Sequence, residues 1–453
     1  MLLLALLPLL AGCAAPFGEA DEEAEHTTVA DPVTTAPAWT KDPLRTIPSP
    51  GMREPDPVYG YTYGQPSGNR VAEGQGRLLE SRPVDVRLGG EPLWVVGVPM
   101  VEDDIGWIVA LRSGRLETFR LDAESGEVEP WLVAPDELPA GAPPLVVSRG
   151  EDLRLLAPPT GSSPLTHPVP LDERPGARLL TVAREGQLSV VPGLYGLPAR
   201  ALPDARAVRS EGGEIAVLSD PTGRYDHGIL GDGLEAGSLT VLRAGAGTPE
   251  VVGEVRPESG GVFESLAPLW FEAGPDGEEL LAVTESTADG GSRISAYRPD
   301  GALAAAGPFV GQPERWRHLL AAGPFGPAGG LELAATRTPH LGGEIEFYRP
   351  NLETGKLEIS ATMPGYATHT IYSRNLDAAR AADLDGDGAW ELLVPNQAYT
   401  ELAAIRRTDS GAEVAWTLPV GGALVTNLAS ATDASDRISV AAGRADGFLR
   451  VWR

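Results

Sequence analysis

The sequence predicts an all-β fold, and three observations support this prediction. First, the 55 glycines and 42 prolines among 453 residues interrupt long helices and favour short strands joined by turns. Second, short apolar runs bounded by Gly, Pro and Asp recur from about residue 76 onward. Third, strands and turns of one kind recur at intervals of roughly 50–60 residues, the length expected for a propeller blade of four strands. The predicted architecture is therefore a β-propeller.

The repeat is visible in strands that end in an aromatic residue followed by Arg. Residues 114–120 resemble residues 292–298, 343–349 and 447–453. Spread over residues 93–453, the repeat predicts seven blades, with eight as the alternative because the region 143–195 is hard to divide. The predicted blades are 93–135, 143–195, 200–256, 262–308, 314–363, 369–418 and 424–453.

The last predicted blade is one strand short. Residues 82–88 alternate polar and apolar side chains and precede the first blade. Because a propeller must protect the edges of its first and last blades, we expect this strand to pair with the C-terminal strand and close the ring.

The N-terminus predicts export and lipidation. Residues 2–10 form an apolar run that is too short to span a bilayer but matches the central part of a secretory signal. The run ends in Leu10-Ala11-Gly12-Cys13, which resembles the lipobox of bacterial lipoproteins. This resemblance implies that residues 1–12 are removed and that Cys13, the only cysteine, carries the lipid anchor in the membrane. The alternative is an ordinary signal peptide with a cysteine there by chance.

Residues 13–75 are predicted to be a disordered tether between the anchor and a propeller domain at 76–453. The segment is rich in proline, begins with acidic residues and has few aliphatic side chains. Such a composition cannot bury enough apolar surface to order itself, and proline keeps it extended. The cluster Tyr59, Tyr61 and Tyr63 suggests that the end of the tether docks on the folded part, although a solvated linker throughout fits the sequence equally well.

The net charge argues against one class of partner. Acidic residues outnumber basic ones by 63 to 36, which gives a formal charge of −27. A uniformly acidic protein does not hold polyphosphate backbones, so no nucleic acid is expected as a partner.

One acidic loop has the pattern of a cation site. Residues 383–391 place carboxylates at alternate positions of a glycine-rich turn, which lets their oxygens converge on Ca²⁺. The flanking residues are strand-like, so this is not an EF-hand, whose loop lies between helices. The expected ligands are Asp383, Asp385, Asp387, the Ala389 carbonyl and Glu391. An acidic hairpin without metal is the alternative.

This loop resembles the FG-GAP/VCBS repeat family, whose propeller blades carry an Asp-x-Asp-x-Asp-Gly loop between strands. The resemblance is close over residues 379–396 and weak elsewhere. It implies a calcium ion that clamps one blade and has a structural role.

No catalytic motif is present. The six histidines are scattered without metal-binding spacing. A Gly-rich insertion at 221–237 contains Arg224, Asp226, His227 and Asp232, a set that favours a solvated loop.

Three functional hypotheses remain. The favoured one is a non-enzymatic lipoprotein of the bacterial cell envelope, at the outer membrane or cell surface, that displays a calcium-stabilised propeller to bind a protein or glycan. The second is an envelope polysaccharide hydrolase or lyase with its site in the propeller channel. The third is an assembly factor for outer-membrane proteins, which depends on analogy of fold alone.

Overall fold

The computed structural model describes residues 56–453 except 102, 123–124, 132–137, 151, 173, 175, 194 and 246. The predicted signal peptide, Cys13 and most of the predicted tether lie outside these residues. The regular secondary structure of the described part consists of β-strands and two short 3₁₀ helices, at Leu78–Glu80 and Pro327–Gly329. The all-β prediction is confirmed.

The strands of the described part follow one another along the chain with short connections. In chain order they are β1 (Val58–Gly60), β2 (Val71–Gln75), β3 (Val84–Arg87), β4 (Pro92–Pro99), β5 (Ile105–Leu111), β6 (Leu116–Leu121), β7 (Val128–Pro130), β8 (Val146–Arg149), β9 (Asp152–Leu155), β10 (Val169–Pro170), β11 (Leu179–Val182), β12 (Gln187–Val191), β13 (Tyr195–Arg200), β14 (Val208–Arg209), β15 (Glu214–Thr222), β16 (Glu235–Arg243), β17 (Glu250–Val255), β18 (Val262–Phe263), β19 (Leu269–Ala273), β20 (Glu278–Thr287), β21 (Gly291–Tyr297), β22 (Leu303–Ala306), β23 (Arg317–Gly326), β24 (Gly330–Arg337), β25 (Glu344–Asn351), β26 (Lys356–Pro364), β27 (Arg380–Asp383), β28 (Glu391–Pro395), β29 (Glu401–Thr408), β30 (Gly411–Pro419), β31 (Ala429–Thr432), β32 (Ile438–Gly443) and β33 (Phe448–Trp452).

These strands form antiparallel groups in which neighbours in sequence are neighbours in the sheet. Within the described residues the groups are β4–β7, β8–β9, β10–β13, β14–β17, β19–β22, β23–β26, β27–β30 and β31–β33. The first strands of successive groups contact one another, as β31 contacts β4 and β4 contacts β8. Antiparallel blades that meet along their first strands make a β-propeller, so the predicted architecture is confirmed.

Strand burial is explained by this face-to-face stacking of blades. All seven residues of β5 are buried, and its sequence is an almost unbroken apolar run. A strand covered on both faces has no reason to alternate polar and apolar side chains.

Six of the seven predicted blade intervals each contain one strand group. The interval 143–195 contains two, because β8–β9 and the group that starts at β10 belong to different sheets. The described residues therefore form eight strand groups, as in the eight-blade alternative.

The ring is closed by the strand that was predicted to close it. Strand β3 pairs antiparallel with β33, with Val84 opposite Val451 and Arg87 opposite Phe448. Asp85 of β3 accepts hydrogen bonds from Arg444 at 2.8 Å and from Arg450 at 2.6 Å. A salt-bridged N-terminal strand thus completes the C-terminal group.

Residues 58–75 lie inside the ring, which moves the predicted domain boundary. Strand β1 pairs with β8 on the side away from β9, and β2 pairs in parallel with β27 on the side away from β28. Between them, the backbone carbonyls of Pro66 and Ser67 accept hydrogen bonds from Arg209 and Trp270. The propeller domain therefore begins before residue 76, because this segment pairs with strands and buries its own aromatic residues.

Candidate functional site

The predicted calcium loop joins β27 to β28. Asp383 ends β27 and Glu391 begins β28, and both are buried, whereas Asp387 is exposed at the tip. One carboxylate oxygen from each of Asp383, Asp385 and Glu391 lies within 4.8 Å of the others. Asp387 is not part of this group of three.

Glycine and Asp383 together shape this turn. Gly386 and Gly388 have φ angles of +80° and +88°, a conformation that side chains with a Cβ rarely adopt. Their N–H groups donate to the two oxygens of Asp383, at 2.7 Å and 3.0 Å. The strand–loop–strand geometry predicted from the sequence is present.

A cation that could not be assigned from the sequence, Arg406 of the neighbouring strand β29, contacts this loop. Its guanidinium forms ion pairs with Asp385 at 3.0 Å and with Asp387 at 2.9 Å, and a further pair with Glu391. Arg406 lies directly opposite Glu391 in the ladder between β28 and β29. Burial raises the pKa of Glu391 to about 7, against the opposing effect of the hydrogen bond from Arg406.

The donor set fits a hard cation, but Arg406 already supplies part of the compensating charge. Three carboxylates converge at a separation that suits oxygen ligands of Ca²⁺. A metal at this position would have to share Asp385 and Glu391 with the guanidinium or displace it.

A second cluster, which we call the histidine face, lies on loops that follow the second or fourth strand of their groups. Consecutive strands of a blade run in opposite directions, so these loops emerge on one face and the acidic loop, which follows a first strand, on the other. The loops of the histidine face are 223–234, 264–268, 307–316, 338–343 and 365–379.

Two buried glutamates lie at the centre of the histidine face. Glu264 Oε1 is 2.5 Å from His227 Nδ1, and its other oxygen accepts a hydrogen bond from Ser286. Glu235 is 1% exposed, and one of its oxygens has no hydrogen-bond partner. Burial, reinforced by the negative charge of Glu264, raises the pKa of Glu235 well above its ordinary value.

His227 belongs to this cluster, whereas the other polar residues of its loop do not. Burial opposes protonation of the His227 ring, but the hydrogen bond and charge of Glu264 outweigh it and raise the pKa. Asp226 is exposed, Arg224 donates to the backbone of Gly261, and Asp232 pairs with an arginine of another loop. The sequence expectation of a solvated loop thus fails for His227.

Three further histidines pack around a buried tryptophan on this face. The ring of Trp316 stacks on His318 with a centroid separation of 5.3 Å and meets His369 edge-on at 5.0 Å. His340 lies 5.9 Å from His369. Burial lowers the pKa of His369 to about 4, so this part of the cluster is uncharged at neutral pH.

The rim of the histidine face exposes large apolar side chains. We call Leu234, Leu341, Ile371 and Tyr372 the rim patch, and Tyr372 and Leu341 are 72% and 70% exposed. The loops that carry it touch, because Tyr372 N–H donates to the carbonyl of Ile229.

The same loops contain strained backbone. Glu314, Thr338 and Tyr372 have φ angles of +53°, +47° and +67°. Such conformations cost of the order of 1–3 kcal/mol each for residues other than glycine and tend to concentrate at functional sites. Strained backbone and exposed apolar side chains therefore occur together on these loops, although positive φ angles are also present in loops of the opposite face, at Asp103, Ala328 and Asp436.

Cys13 lies outside the described residues, so its predicted lipidation stays a prediction. None of the helical elements in the described part is long and apolar enough to cross a membrane.

No family model matches the chain, and no curated protein matches it. Among solved structures, the chain is similar to a chain of the "Crystal Structure of Mitotic Checkpoint Complex" at 14% sequence identity and a TM-score of 0.40, with 82% of this chain and 93% of that chain covered. It is also similar to the quinohemoprotein alcohol dehydrogenase from Comamonas testosteroni at 10% identity and a TM-score of 0.46, with 86% of this chain and 80% of that chain covered. Neither similarity is high enough to support an inference about family or function.

Proposed function

We propose that this protein is a lipid-anchored β-propeller of the bacterial cell envelope that binds a protein ligand through the rim patch. The observation that carries the proposal is the exposure of Leu341, Ile371 and Tyr372 on adjoining loops of one face. Contiguous exposed apolar side chains with a charged surround are typical of protein interaction sites. Asp232 and Arg374 form such a charged pair beside the patch.

A protein ligand is favoured over a glycan because most of the patch is aliphatic. Sugars stack on aromatic rings, and Tyr372 is the one aromatic side chain of the patch. Leu and Ile gain their binding free energy from burial against another apolar surface.

Binding is favoured over polysaccharide cleavage because the acidic groups that could act on a substrate are covered. Glu235 and Glu264 are 1% and 0% exposed. The ring interior, which the hydrolase hypothesis would use, contains the chain's own residues 58–75. A glycosidase needs two carboxylates that flank an accessible sugar.

Photo-crosslinking tests the proposed surface. A photoreactive amino acid at position 372 should give a discrete crosslinked band in envelope preparations, and the same amino acid at position 387, on the acidic loop, should not. Leu341→Ala should weaken the band, since position 341 belongs to the same patch. Equal crosslinking at 372 and 387, or none at 372 together with retention on a glycan array, would contradict a protein ligand at this patch.

The proposed location rests on Cys13 and on the tether that follows it. Labelling with a fatty-acid analogue should tag the wild-type protein, and Cys13→Ser should remove both the tag and membrane fractionation. Three acyl chains exceed the two signals needed for stable anchoring, so a soluble, untagged wild type would refute the anchor.

We also propose that residues 383–391 bind calcium, as their resemblance to FG-GAP/VCBS repeats implies. Asp383, Asp385 and Glu391 would hold the ion, which would supply positive charge between two strands. Its role is structural, because the loop lies on the face opposite the rim patch.

A further inference from the structure

Four charged side chains meet inside the ring of blades. Asp377 accepts hydrogen bonds from Arg70 at 3.1 Å and from Arg206 at 2.6 Å. Arg380 lies close enough for its charge to act on Asp377, and it donates to the backbone carbonyls of Thr62 and Ala379. All four residues are at most 7% exposed.

The charges of this group do not balance. Three arginines face a single carboxylate, and Asp377 is the only acidic group of the described residues that makes an ion pair with Arg70 or Arg206. An arginine does not lose its proton in a protein, so the group carries a net positive charge in a region shielded from water. Burial of an uncompensated charge costs several kcal/mol. The Arg206 guanidinium lies 5.8 Å from the ring of Tyr63 and 5.7 Å from the ring of Trp94. These two rings offset part of the charge of Arg206 but not the charges of the other arginines.

Hydrogen-bonding capacity is also left over around the same group. The Nε atoms of Arg206 and Arg380 and the Nε2 atom of His167 are buried without a partner. Buried polar atoms in folded proteins are nearly always satisfied, so the two arginine donors require a partner that is not a protein atom. His167 is neutral at pH 7, because burial lowers its pKa to about 4. Its Nδ1–H donates to the carbonyl of Pro168 at 2.8 Å, so its free Nε2 atom is an acceptor.

A small cavity lies between the two arginines that bind Asp377. Its volume is about 10 Å³, and Tyr63, Arg70, Arg206 and Ser265 line it together with Gly68 and apolar residues. This is room for one particle of about the size of a water molecule. A monatomic anion, which is somewhat larger than water, therefore requires small shifts of the lining side chains, and larger ligands require more.

We propose that this cavity is a structural binding site for one monatomic anion of the chloride class, held by Arg70 and Arg206. A water molecule would satisfy the free donor of Arg206 but would leave the excess positive charge in place. A halide satisfies both requirements. Its binding completes the packing of residues 61–70 against the blades and is independent of any ligand at the rim patch.

The first test compares thermal unfolding in sodium chloride and sodium gluconate at equal ionic strength, after exhaustive dialysis into gluconate. Chloride should raise the Tm in a saturable way by about 2–5 °C, since the anion binds the folded state alone. Arg206→Gln should abolish the difference between the two salts, whereas Arg224→Gln, a change on the exposed loop, should preserve it. A shift that persists in Arg206→Gln, or identical Tm values for wild type in the two salts, would overturn the proposal.

The second test does not depend on a folded variant. Wild-type crystals grown or soaked in sodium bromide should show an anomalous peak within hydrogen-bond distance of the Arg206 guanidinium. A cavity that contains only water in the presence of bromide would overturn the proposal even if the Arg206 variant failed to fold.

Discussion

Replacement of Asp377 by Asn should destabilise the protein more than any single surface change. The Asp377 side chain is completely buried and accepts hydrogen bonds from Arg70 and Arg206 and, at 3.0 Å, from Thr62 Oγ1. Asp377→Asn keeps the size of the side chain but removes the only carboxylate that pairs with these arginines among the described residues. Removal of one partner of a buried ion pair costs about 3–5 kcal/mol. For a unit of this size we expect the Tm to fall by roughly 4–8 °C.

Urea unfolding followed by circular dichroism measures this loss directly. Asp276→Asn is the matched control, because Asp276 is exposed and a surface change of this kind alters the free energy of unfolding by no more than about 0.5 kcal/mol. A free energy of unfolding for Asp377→Asn within 1 kcal/mol of wild type (about the size of one ordinary hydrogen bond) would refute the conclusion that Asp377 is the essential counter-ion.

The pH dependence gives a second measure of the same interaction. Asp377 is buried, which alone would favour the neutral form, but the charges of Arg206, Arg70 and Arg380 hold its pKa well below the ordinary value. Since the folded state binds this proton more weakly than the unfolded state, its contribution to stability is complete above about pH 4 and is lost as the pH falls toward the folded pKa. The difference in stability between wild type and Asp377→Asn should therefore shrink below pH 4.

Three further predictions concern other parts of the molecule. Millimolar calcium should raise the wild-type Tm by about 1–2 °C in a way that EGTA reverses. Asp385→Ala should remove this response, and Arg406→Gln should enlarge it. Equal responses of wild type and Asp385→Ala would show that no ion binds at the acidic loop. Gly68→Ala should destabilise the protein more than Gly260→Ala, as measured by urea unfolding. Both glycines have positive φ, but only a Cβ added at position 68 would meet other atoms, the nearest at 2.8 Å. Equal losses of unfolding free energy would mean that the segment inside the ring is not closely packed. The stability of Glu235→Gln relative to wild type should be higher at pH 8 than at pH 5, because a raised folded pKa makes the stability of the wild type fall as the pH rises above the unfolded value of about 4.3. Parallel stability curves for the two proteins would contradict a raised pKa of Glu235 in the folded state.

The features that could be predicted from the sequence are local or repeated. The strand at 82–88 alternates and lacks a neighbour of its own, so its pairing with the C-terminal strand follows from the need to close a ring. The acidic loop is local too, because its glycines and carboxylates lie within nine consecutive residues. The split of 143–195 into two strand groups could not be assigned, since its strands are short and irregularly spaced.

The features that the sequence concealed depend on contacts between distant residues. Arg406 lies opposite Glu391 only because β28 and β29 pair in one particular register, and a shift of one residue would point it away. The position of residues 58–75 inside the ring depends on partners from several blades. The histidine cluster is not indicated by the sequence either, because His318 lies in β23 whereas His369 lies in the loop before β27.

The acidic loop and the histidine face differ in how their polar groups are satisfied, and this difference agrees with the roles proposed for them. In the acidic loop, Asp383 is bonded by backbone N–H groups and Arg406 balances part of the charge, as expected of a structural element. On the histidine face, by contrast, one oxygen of the buried Glu235 has no hydrogen-bond partner, and Leu341 and Tyr372 are exposed.

The buried centre holds the histidine face in place. Arg206 joins Asp377 inside the ring and donates at 2.8 Å to the backbone carbonyl of Arg374. The Arg374 side chain in turn binds Asp204 at 2.8 Å and Asp232 at 2.6 Å, which ties together the two loops beside the rim patch. A surface held in this way loses little conformational entropy when it binds, so its affinity depends on the contacts it makes rather than on the ordering of its loops.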